Sequence, residues 1–108
     1  IMGLGGVGIA AVQGARLAGA AIILASDPVA ERREIARKFG ATHVIDPFNE
    51  DLAQRCLQLT DNIGMDYAFE TAGIAKLVET GIAVTRSGGT SSASTTNIVR
   101  VAGISVGW

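Results

Sequence analysis

Residues 3 to 8 read GLGGVG, and this glycine-rich stretch constrains the fold more than any other part of the sequence. Two apolar residues precede it, and a stretch of small apolar residues with helical character follows over residues 6 to 18. In a G-x-G-x-x-G pattern, Gly3 permits a tight turn, Gly5 lets a pyrophosphate approach the main chain, and Gly8 lets the helix pack on the strand. The stretch therefore predicts a strand, a turn and a helix whose N-terminus binds phosphate.

An acidic residue follows at the distance typical of this motif. Asp27 comes after the apolar run AIILA (residues 21 to 25), about 20 residues beyond the last glycine. Its carboxylate can accept hydrogen bonds from the adenosine ribose and would repel a 2′-phosphate, which favours NAD over NADP. Helix capping is the alternative, because Asp27 and Pro28 make a good N-cap and N1 pair. Arg32 and Arg33 weigh against NAD, since arginine here can bind a 2′-phosphate.

The rest of the chain alternates short apolar runs with helical patterns. We predict strands at residues 1–2, 21–25, 42–45 and 66–70, a fifth strand introduced by Gly88-Gly89, and a sixth over residues 98–106. Helices are predicted over residues 6–18, 29–39, 50–60 and 75–86, the second with Val29, Ile35, Ala36 and Phe39 on its inner face. This alternation predicts an α/β fold, a Rossmann-type doubly wound parallel sheet in three layers.

Length and composition narrow the class of protein. The 108 residues suit a single domain, and we interpret residues 1–108 as an NAD-binding Rossmann domain that is an internal, truncated fragment of a longer chain. A net charge of -1 disfavours a nucleic-acid partner. No apolar run is long enough to span a bilayer, and the glycine-rich start lacks the basic lead-in of a signal peptide. We expect a cytoplasmic protein with no membrane partner.

The residues that most often carry chemistry have simpler explanations here. Cys56 is expected on the buried face of its helix, and His43 has no second ligand at metal-binding spacing and is expected at the surface or in a loop. Asp66 and Glu70 share a strand face and are expected to be solvated ends of that strand. Gly14 is expected to mark close packing of the first helix on the sheet. We predict no catalytic and no metal-binding residue in this chain.

Several stretches together carry a resemblance to a known family. GLGGVG, the strand that ends in Asp27, FGATHVIDP (39–47), MDYAFETAG (65–73) and TRSGGT (85–90) resemble the coenzyme domain of zinc-dependent alcohol dehydrogenases, in the medium-chain dehydrogenase/reductase family. The resemblance runs in continuous register from residue 1 to about residue 90. It implies a homo-oligomeric parent enzyme that transfers a hydride between an alcohol or aldehyde and NAD. The zinc and the substrate would be bound in the full-length parent, outside this chain.

The resemblance also implies contacts with the cofactor, position by position. In the glycine loop (residues 3–8), Gly5, Gly6 and Val7 would present their main chain to the pyrophosphate. Asp27 and Arg32 would reach the adenosine ribose, and Pro28 and Ala72 would line the two faces of the adenine slot. Where some relatives carry an arginine, this chain has Ile74, so that polar contact is not expected. The predicted cofactor-binding residues are Gly3, Leu4, Gly5, Gly6, Val7, Gly8, Asp27, Pro28, Arg32, Thr71, Ala72 and Ile74.

One segment departs from the family. The fifth strand of relatives is strongly apolar, whereas residues 90–96 read TSSASTT here. A buried hydroxyl group needs a hydrogen-bond partner, so either this strand is displaced or the segment diverges from the family after Thr90. Residues 97–108 match a sixth strand only loosely.

Two other functions compete with the dehydrogenase. A regulatory Rossmann domain could bind NAD without chemistry, and a methyltransferase also uses a glycine-rich first loop and a ribose-binding acid. The stretches FGATHVIDP and MDYAFETAG favour the dehydrogenase over the regulatory domain. The spacing of the glycines favours a ligand with a pyrophosphate, and so disfavours the methyltransferase.

Overall fold

The structure is a computed structural model that describes residues 1–93 together with the backbone of residues 100–101 and 104–105. The helices of this part of the chain are α1 (Gly6–Leu17), α2 (Ala30–Phe39), α3 (Leu52–Leu59) and α4 (Ala75–Val84). The strands are β1 (Leu24–Ser26), β2 (His43–Ile45), β3 (Met65–Glu70), β4 (Thr85–Ala93), β5 (Arg100–Val101) and β6 (Ile104–Ser105). The four predicted helices are confirmed to within two residues at each end. No helix among the described residues has the length and apolar character needed to cross a membrane.

Residues 1–3, here called the central segment, join two pairs of parallel strands. β1 pairs with β2, and β3 pairs with β4. Met2 of the central segment bridges Ser26 at the end of β1 on one side and Glu70 at the end of β3 on the other, both in parallel. The order across the sheet is therefore β2, β1, central segment, β3, β4. This order confirms the predicted doubly wound sheet and puts its topological switch point between the central segment and β3.

The two faces of the sheet carry separate apolar cores. Along β1 and the residue before it, Ile23 and Ala25 face one core, which includes Ala36 of α2, and Leu24 faces the other, which includes Cys56 of α3. This alternation is the period-two pattern of a strand whose two faces are both covered. α1 packs with α2, and α3 packs with α4. The three-layer arrangement predicted from the sequence is confirmed.

β4 begins earlier than predicted and contains an irregularity. α4 ends at Val84 and β4 starts directly at Thr85, so Gly88 and Gly89 lie within the strand rather than before it. The register with β3 shifts here, because Met65 is opposite Thr85 and the next paired residue of β3 is opposite residue 90. Gly88 has a φ of +80°, a conformation that glycine adopts without strain, and it accommodates the extra residues.

After this irregularity, the polar residues of β4 pair with β3, in the place where relatives have an apolar fifth strand. Residues 67–70 of β3 pair in parallel with residues 90–93 of β4. The displaced-strand alternative is therefore wrong for residues 90–93, and these residues are only half-buried. Residues 94–96 of the polar stretch lie outside the described residues.

The predicted sixth strand over residues 98–106 is wrong as a single element. β5 and β6 pair with each other in antiparallel fashion, with Arg100 opposite Ser105 and Val101 opposite Ile104. Only two residues separate these strands, and strands so near in sequence can pair antiparallel, whereas parallel neighbours need a long crossover. The other residues of the predicted strand lie outside the described residues.

Candidate cofactor site

The predicted cofactor residues meet at the carboxyl edge of the sheet. The glycine loop follows the central segment, Asp27 follows β1, and Thr71 follows β3. Two hydrogen bonds tie these regions together. The Leu4 amide donates to Asp27 Oδ2 at 2.9 Å, and Thr71 Oγ1 donates to the Gly3 carbonyl oxygen at 2.7 Å. The structure thus brings three regions that are far apart in sequence to one place, beside the topological switch point.

The first and last glycines of the motif shape the turn. Gly3 has a φ of +91°, and its amide donates to the Ser26 carbonyl oxygen at 2.8 Å, which closes the turn against β1. A β-carbon on Gly8 would lie 1.8 Å from the Gly3 carbonyl oxygen, so α1 packs directly on the turn. These contacts confirm the turn role of Gly3 and the packing role of Gly8.

The middle of the loop is open. A β-carbon on Gly5 or Gly6 would meet no atom within 4 Å. Gly5 is the N-cap of α1, it supplies no side-chain cap, and the first turn of α1 has no acidic residue. The first-turn amides of a helix have no acceptor within the helix, and the positive end of the helix dipole lies there. This open, uncapped cradle fits the pyrophosphate that the sequence predicts.

The predicted residues divide into supporting and exposed groups. The Leu4 side chain lies in the core with Val12 and Ala36, so only its main chain reaches the site. Gly8 is buried as well. The predicted residues whose surfaces are exposed at this edge are Gly5, Gly6, Val7, Pro28, Arg32, Ala72 and Ile74.

Asp27 is buried and held in place by the main chain. Its side chain is 4% exposed, Oδ1 accepts the Val29 amide at 2.8 Å, and Oδ2 accepts the Leu4 amide. α2 starts at Ala30 with Val29 as its N-cap, so the helix-capping alternative for Asp27 is wrong. Asp27 instead stabilises the turn that precedes the helix, as aspartate often does. Each carboxylate oxygen has a second acceptor position beyond the one that the amide occupies.

The two neighbouring arginines differ in their contacts. Arg33 Nη1 donates to the Asp27 carbonyl oxygen at 2.8 Å and lies 3.8 Å from Asp46 Oδ2, and this side chain is 19% exposed. Arg32 is 54% exposed, and its Nη1 lies 3.7 Å from Asp27 Oδ2. Arg33 therefore holds the end of β1, whereas Arg32 is the arginine that a ligand beside Asp27 can reach.

Glu70, the last residue of β3, is a site residue that the sequence did not reveal. The prediction that it is solvated is wrong, because its side chain is 1% exposed. Its Oε1 accepts the Ala72 amide at 2.6 Å and its Oε2 accepts the Gly73 amide at 3.1 Å, which compensates a buried carboxylate. The signal in the sequence was a glutamate at a strand end followed by small residues. Asp66 is exposed as predicted and pairs with Arg86.

The remaining candidates for chemistry lie away from this edge. Cys56 is buried in the core, as predicted, and burial raises the pKa of its thiol. His43 is half-buried at the start of β2, with Nδ1 2.9 Å from Thr42 Oγ1, so the loop prediction is wrong. Gly14 is exposed, and a β-carbon there would meet nothing within 4 Å, so the close-packing prediction is wrong too.

No set of three His, Cys, Asp or Glu side chains converges as a metal site within the part of the chain that the structure describes. We therefore assign no zinc ligand to these residues.

A cavity of about 620 Å³ lies at the other edge of the sheet. It is lined by residues near the starts of β1 and β3 and at the end of α1, among them Ile1, Leu24, Cys56 and Tyr67. The lining is largely apolar, and it contains none of the predicted cofactor residues. We therefore place the candidate site at the carboxyl edge, where the polar groups converge, and not at this cavity.

Comparison with known proteins shows the family of this chain. A family model described as zinc-binding dehydrogenase matches residues 6–96, which is most of the chain. This chain belongs to the zinc-binding dehydrogenase family. A relative from Pseudomonas named "Probable alcohol dehydrogenase" is 45% identical over 82 residues, covering 76% of this chain and 26% of that protein.

Solved structures of this family share the fold. Benzyl alcohol dehydrogenase from Acinetobacter calcoaceticus aligns with a TM-score of 0.84 and 32% identity over 89% of this chain and 26% of its own. A structure described as a zinc-binding dehydrogenase from Sinorhizobium meliloti bound to NADP aligns with a TM-score of 0.79 and 33% identity, over 85% of this chain and 28% of its own. The chain thus spans about a quarter of the length of the relatives it matches.

Proposed function

We propose that this chain is the cofactor-binding part of a zinc-dependent, NAD-linked alcohol dehydrogenase. Membership of the zinc-binding dehydrogenase family supports the class of enzyme. The observation that carries the proposal is the junction of the open glycine loop with Asp27, made by the hydrogen bond from the Leu4 amide to the buried carboxylate. Through this junction the loop that would bind the pyrophosphate lies beside the carboxylate that would bind the ribose, as a dinucleotide site requires.

The residues of the loop would bind the pyrophosphate. The open faces of Gly5 and Gly6 leave room for it, and the first-turn amides of α1 would donate to its oxygens. Asp27 would accept hydrogen bonds from the hydroxyl groups of the adenosine ribose. Because two amides fix the carboxylate before any ligand arrives, little ordering is needed on binding.

We further propose that NAD is preferred over NADP. The Asp27 carboxylate would repel a 2′-phosphate, and Arg33 cannot readily turn toward one because it is bonded to the Asp27 carbonyl oxygen. Arg32 alone of the pair is exposed enough to attract such a phosphate. The Sinorhizobium relative binds NADP, so both cofactors belong in every binding test.

The bound nicotinamide would supply the hydride chemistry, and this chain would bind and orient the cofactor. Thr71, Ala72 and Ile74 would border it on the far side of the switch point from Asp27. An alcohol or aldehyde substrate, a zinc site in the full-length parent, a homo-oligomeric parent and a cytoplasmic location stay predictions drawn from the family resemblance.

The proposal is tested by a calorimetric titration of NAD into three forms of the protein. We expect the unchanged chain to bind and Gly5→Val to lose binding while keeping its circular dichroism spectrum, because the added side chain enters the open cradle rather than the core. Gly14→Ala is the matched control, since position 14 is also open but lies away from the loop. Binding to Gly5→Val with unchanged affinity would contradict the proposal.

A further inference from the structure

The loop after β3 is fixed by the buried carboxylate of Glu70. Both of its oxygens are occupied by main-chain amides, those of Ala72 and Gly73, two and three residues further along the chain. The carboxylate thereby folds the loop back over its own strand end. Ala72 and Gly73 are exposed at the carboxyl edge, whereas the Glu70 carboxylate that holds them is buried.

Thr71 connects the same loop to the glycine loop by hydrogen bonds. Its amide donates to the Met2 carbonyl oxygen at 2.8 Å. Its hydroxyl donates to the Gly3 carbonyl oxygen at 2.7 Å and lies 3.1 Å from the Met2 carbonyl oxygen. One side chain therefore links the end of β3 to the turn that leads into the phosphate cradle.

The two loops also touch directly. A β-carbon on Gly3 would lie 2.9 Å from the Ala72 amide nitrogen and 3.0 Å from Thr71 Oγ1. A β-carbon on Gly8 would lie 3.0 Å from the same Thr71 oxygen. The loop held by Glu70 thus packs on both ends of the glycine motif, at Gly3 and at Gly8.

We propose that Glu70 and Thr71 are positioning residues for the dinucleotide, acting through the Ala72 and Gly73 amides and the Gly3 carbonyl oxygen. The inference rests on the proposed function, because it assigns these side chains to the cofactor site. Glu70 need not touch the cofactor, and the positioning role of Thr71 is exerted through the Gly3 carbonyl oxygen. Together they set the distance between the phosphate cradle on one side of the switch point and the loop after β3 on the other.

The test compares two isosteric changes with two controls. Thr71→Val removes the hydroxyl at nearly constant shape, and Thr71→Ser restores it. Glu70→Gln turns one acceptor oxygen into a donor that faces an amide N–H. Asp66→Asn makes the same acid-to-amide change on the same strand, at an exposed residue far from the loop contacts. NAD affinity is measured by calorimetry well below the melting temperature of each variant, with circular dichroism to confirm the fold.

We expect Thr71→Val and Glu70→Gln to weaken NAD binding by about tenfold, the effect of one misplaced or missing strong hydrogen bond. Thr71→Ser should recover most of the affinity lost in Thr71→Val, and Asp66→Asn should bind NAD like the unchanged chain. A purely structural role would lower the melting temperature of Thr71→Val and Glu70→Gln and leave the affinity of the folded protein intact. That result would overturn the inference.

The controls separate this inference from the proposed function. If the unchanged chain binds NAD and Thr71→Val binds it equally well, the positioning role is overturned and the cofactor site stands. If the unchanged chain does not bind NAD, the proposed function fails, and the positioning role falls with it. If Glu70→Gln does not fold, the comparison of Thr71→Val with Thr71→Ser decides.

Discussion

The α-carbon of Gly8 lies against the carbonyl oxygen of Gly3, so that a β-carbon at position 8 would stand 1.8 Å from that oxygen. The same oxygen accepts the hydroxyl of Thr71. The turn after the central segment, the start of α1 and the loop after β3 therefore meet at one main-chain atom. Because that atom belongs to the backbone, it cannot rotate out of the way of an added side chain.

Gly8→Ala is expected to destabilise the fold by about 3 kcal/mol, the upper range for overpacking, since the clash is with backbone. Gly6→Ala is the matched change on the same turn, and it should shift the free energy of unfolding by less than about 1 kcal/mol because that position is open. Urea denaturation of the two variants measures the difference. Equal stabilities would contradict the packing of α1 on the turn.

Asp27→Ser is expected to weaken NAD binding by roughly tenfold and to narrow the preference for NAD over NADP, because the ribose acceptor and its charge are both removed. Asp51→Ser is the control. Asp51 is the N-cap of α3, where serine caps equally well, and it lies outside the candidate site. Competition titrations with both cofactors give the ratio of the NAD affinity to the NADP affinity. An unchanged ratio in Asp27→Ser would show that Asp27 only stabilises its turn.

Substitution of Arg33 should mainly affect stability, whereas substitution of Arg32 should mainly affect cofactor binding. Arg33→Gln is expected to lower the free energy of unfolding by about 1–2 kcal/mol, since the Asp27 carbonyl oxygen loses a charged donor. Arg32→Gln should cost less than about 0.5 kcal/mol, because the ion pair is long and the arginine side chain is itself exposed, and should instead weaken any binding of NADP. Urea denaturation and cofactor titration of both variants check this. A larger loss of stability in Arg32→Gln than in Arg33→Gln would contradict the assignment.

The buried thiol predicts how stability depends on pH. Burial raises the pKa of Cys56 above its ordinary value of 9.0, so the unfolded chain releases this proton at a lower pH than the folded chain does. The contribution of Cys56 to stability should not change near pH 7 and should fall as the pH rises past 9.0, with a slope of up to about 1.4 kcal/mol per pH unit.

Denaturation curves between pH 7 and 10 give this slope for Cys56. Cys56→Ala should be less stable throughout but should lack the added slope, since it has no thiol to ionise. Parallel slopes in the two proteins would show that the thiol ionises equally in the folded and unfolded chains.

The features that the sequence predicted well are those set by local patterns. The spacing of Gly3 and Gly8 predicts a turn followed by a helix. The number of residues from the motif to Asp27 predicts where the next strand ends. The alternation of apolar runs with helical periods was sufficient to predict the order of helices and parallel strands. Each of these signals lies within about 30 residues, the span of one βαβ unit.

The features that the sequence predicted poorly depend on contacts between distant segments. Glu70 looked like a solvated strand end, and its burial follows from the loop that folds back to give it two amide donors. Gly14 looked like a packing glycine, yet its side of α1 faces open space. Gly8 and Gly14 were both predicted to allow close packing of the first helix, and only the structure shows that Gly8 does so and Gly14 does not.

The inner face of α2 shows the same limit. Periodicity places Val29, Ile35, Ala36 and Phe39 on one side, but only Ala36 is fully buried, and the three larger residues are each exposed by 40% or more. A small residue lets the helix approach its neighbours closely, and the larger ones then lie at the edge of the contact. Periodicity predicts which residues share a face, and the depth of burial depends on how the helix packs.

We propose that the glycine loop and Asp27 form a site for NAD. The most direct measurement is a calorimetric titration of the purified protein with NAD and, separately, with NADP, with circular dichroism recorded on the same sample. We predict binding of NAD with a clear preference over NADP. A folded protein that binds neither cofactor would contradict the claim.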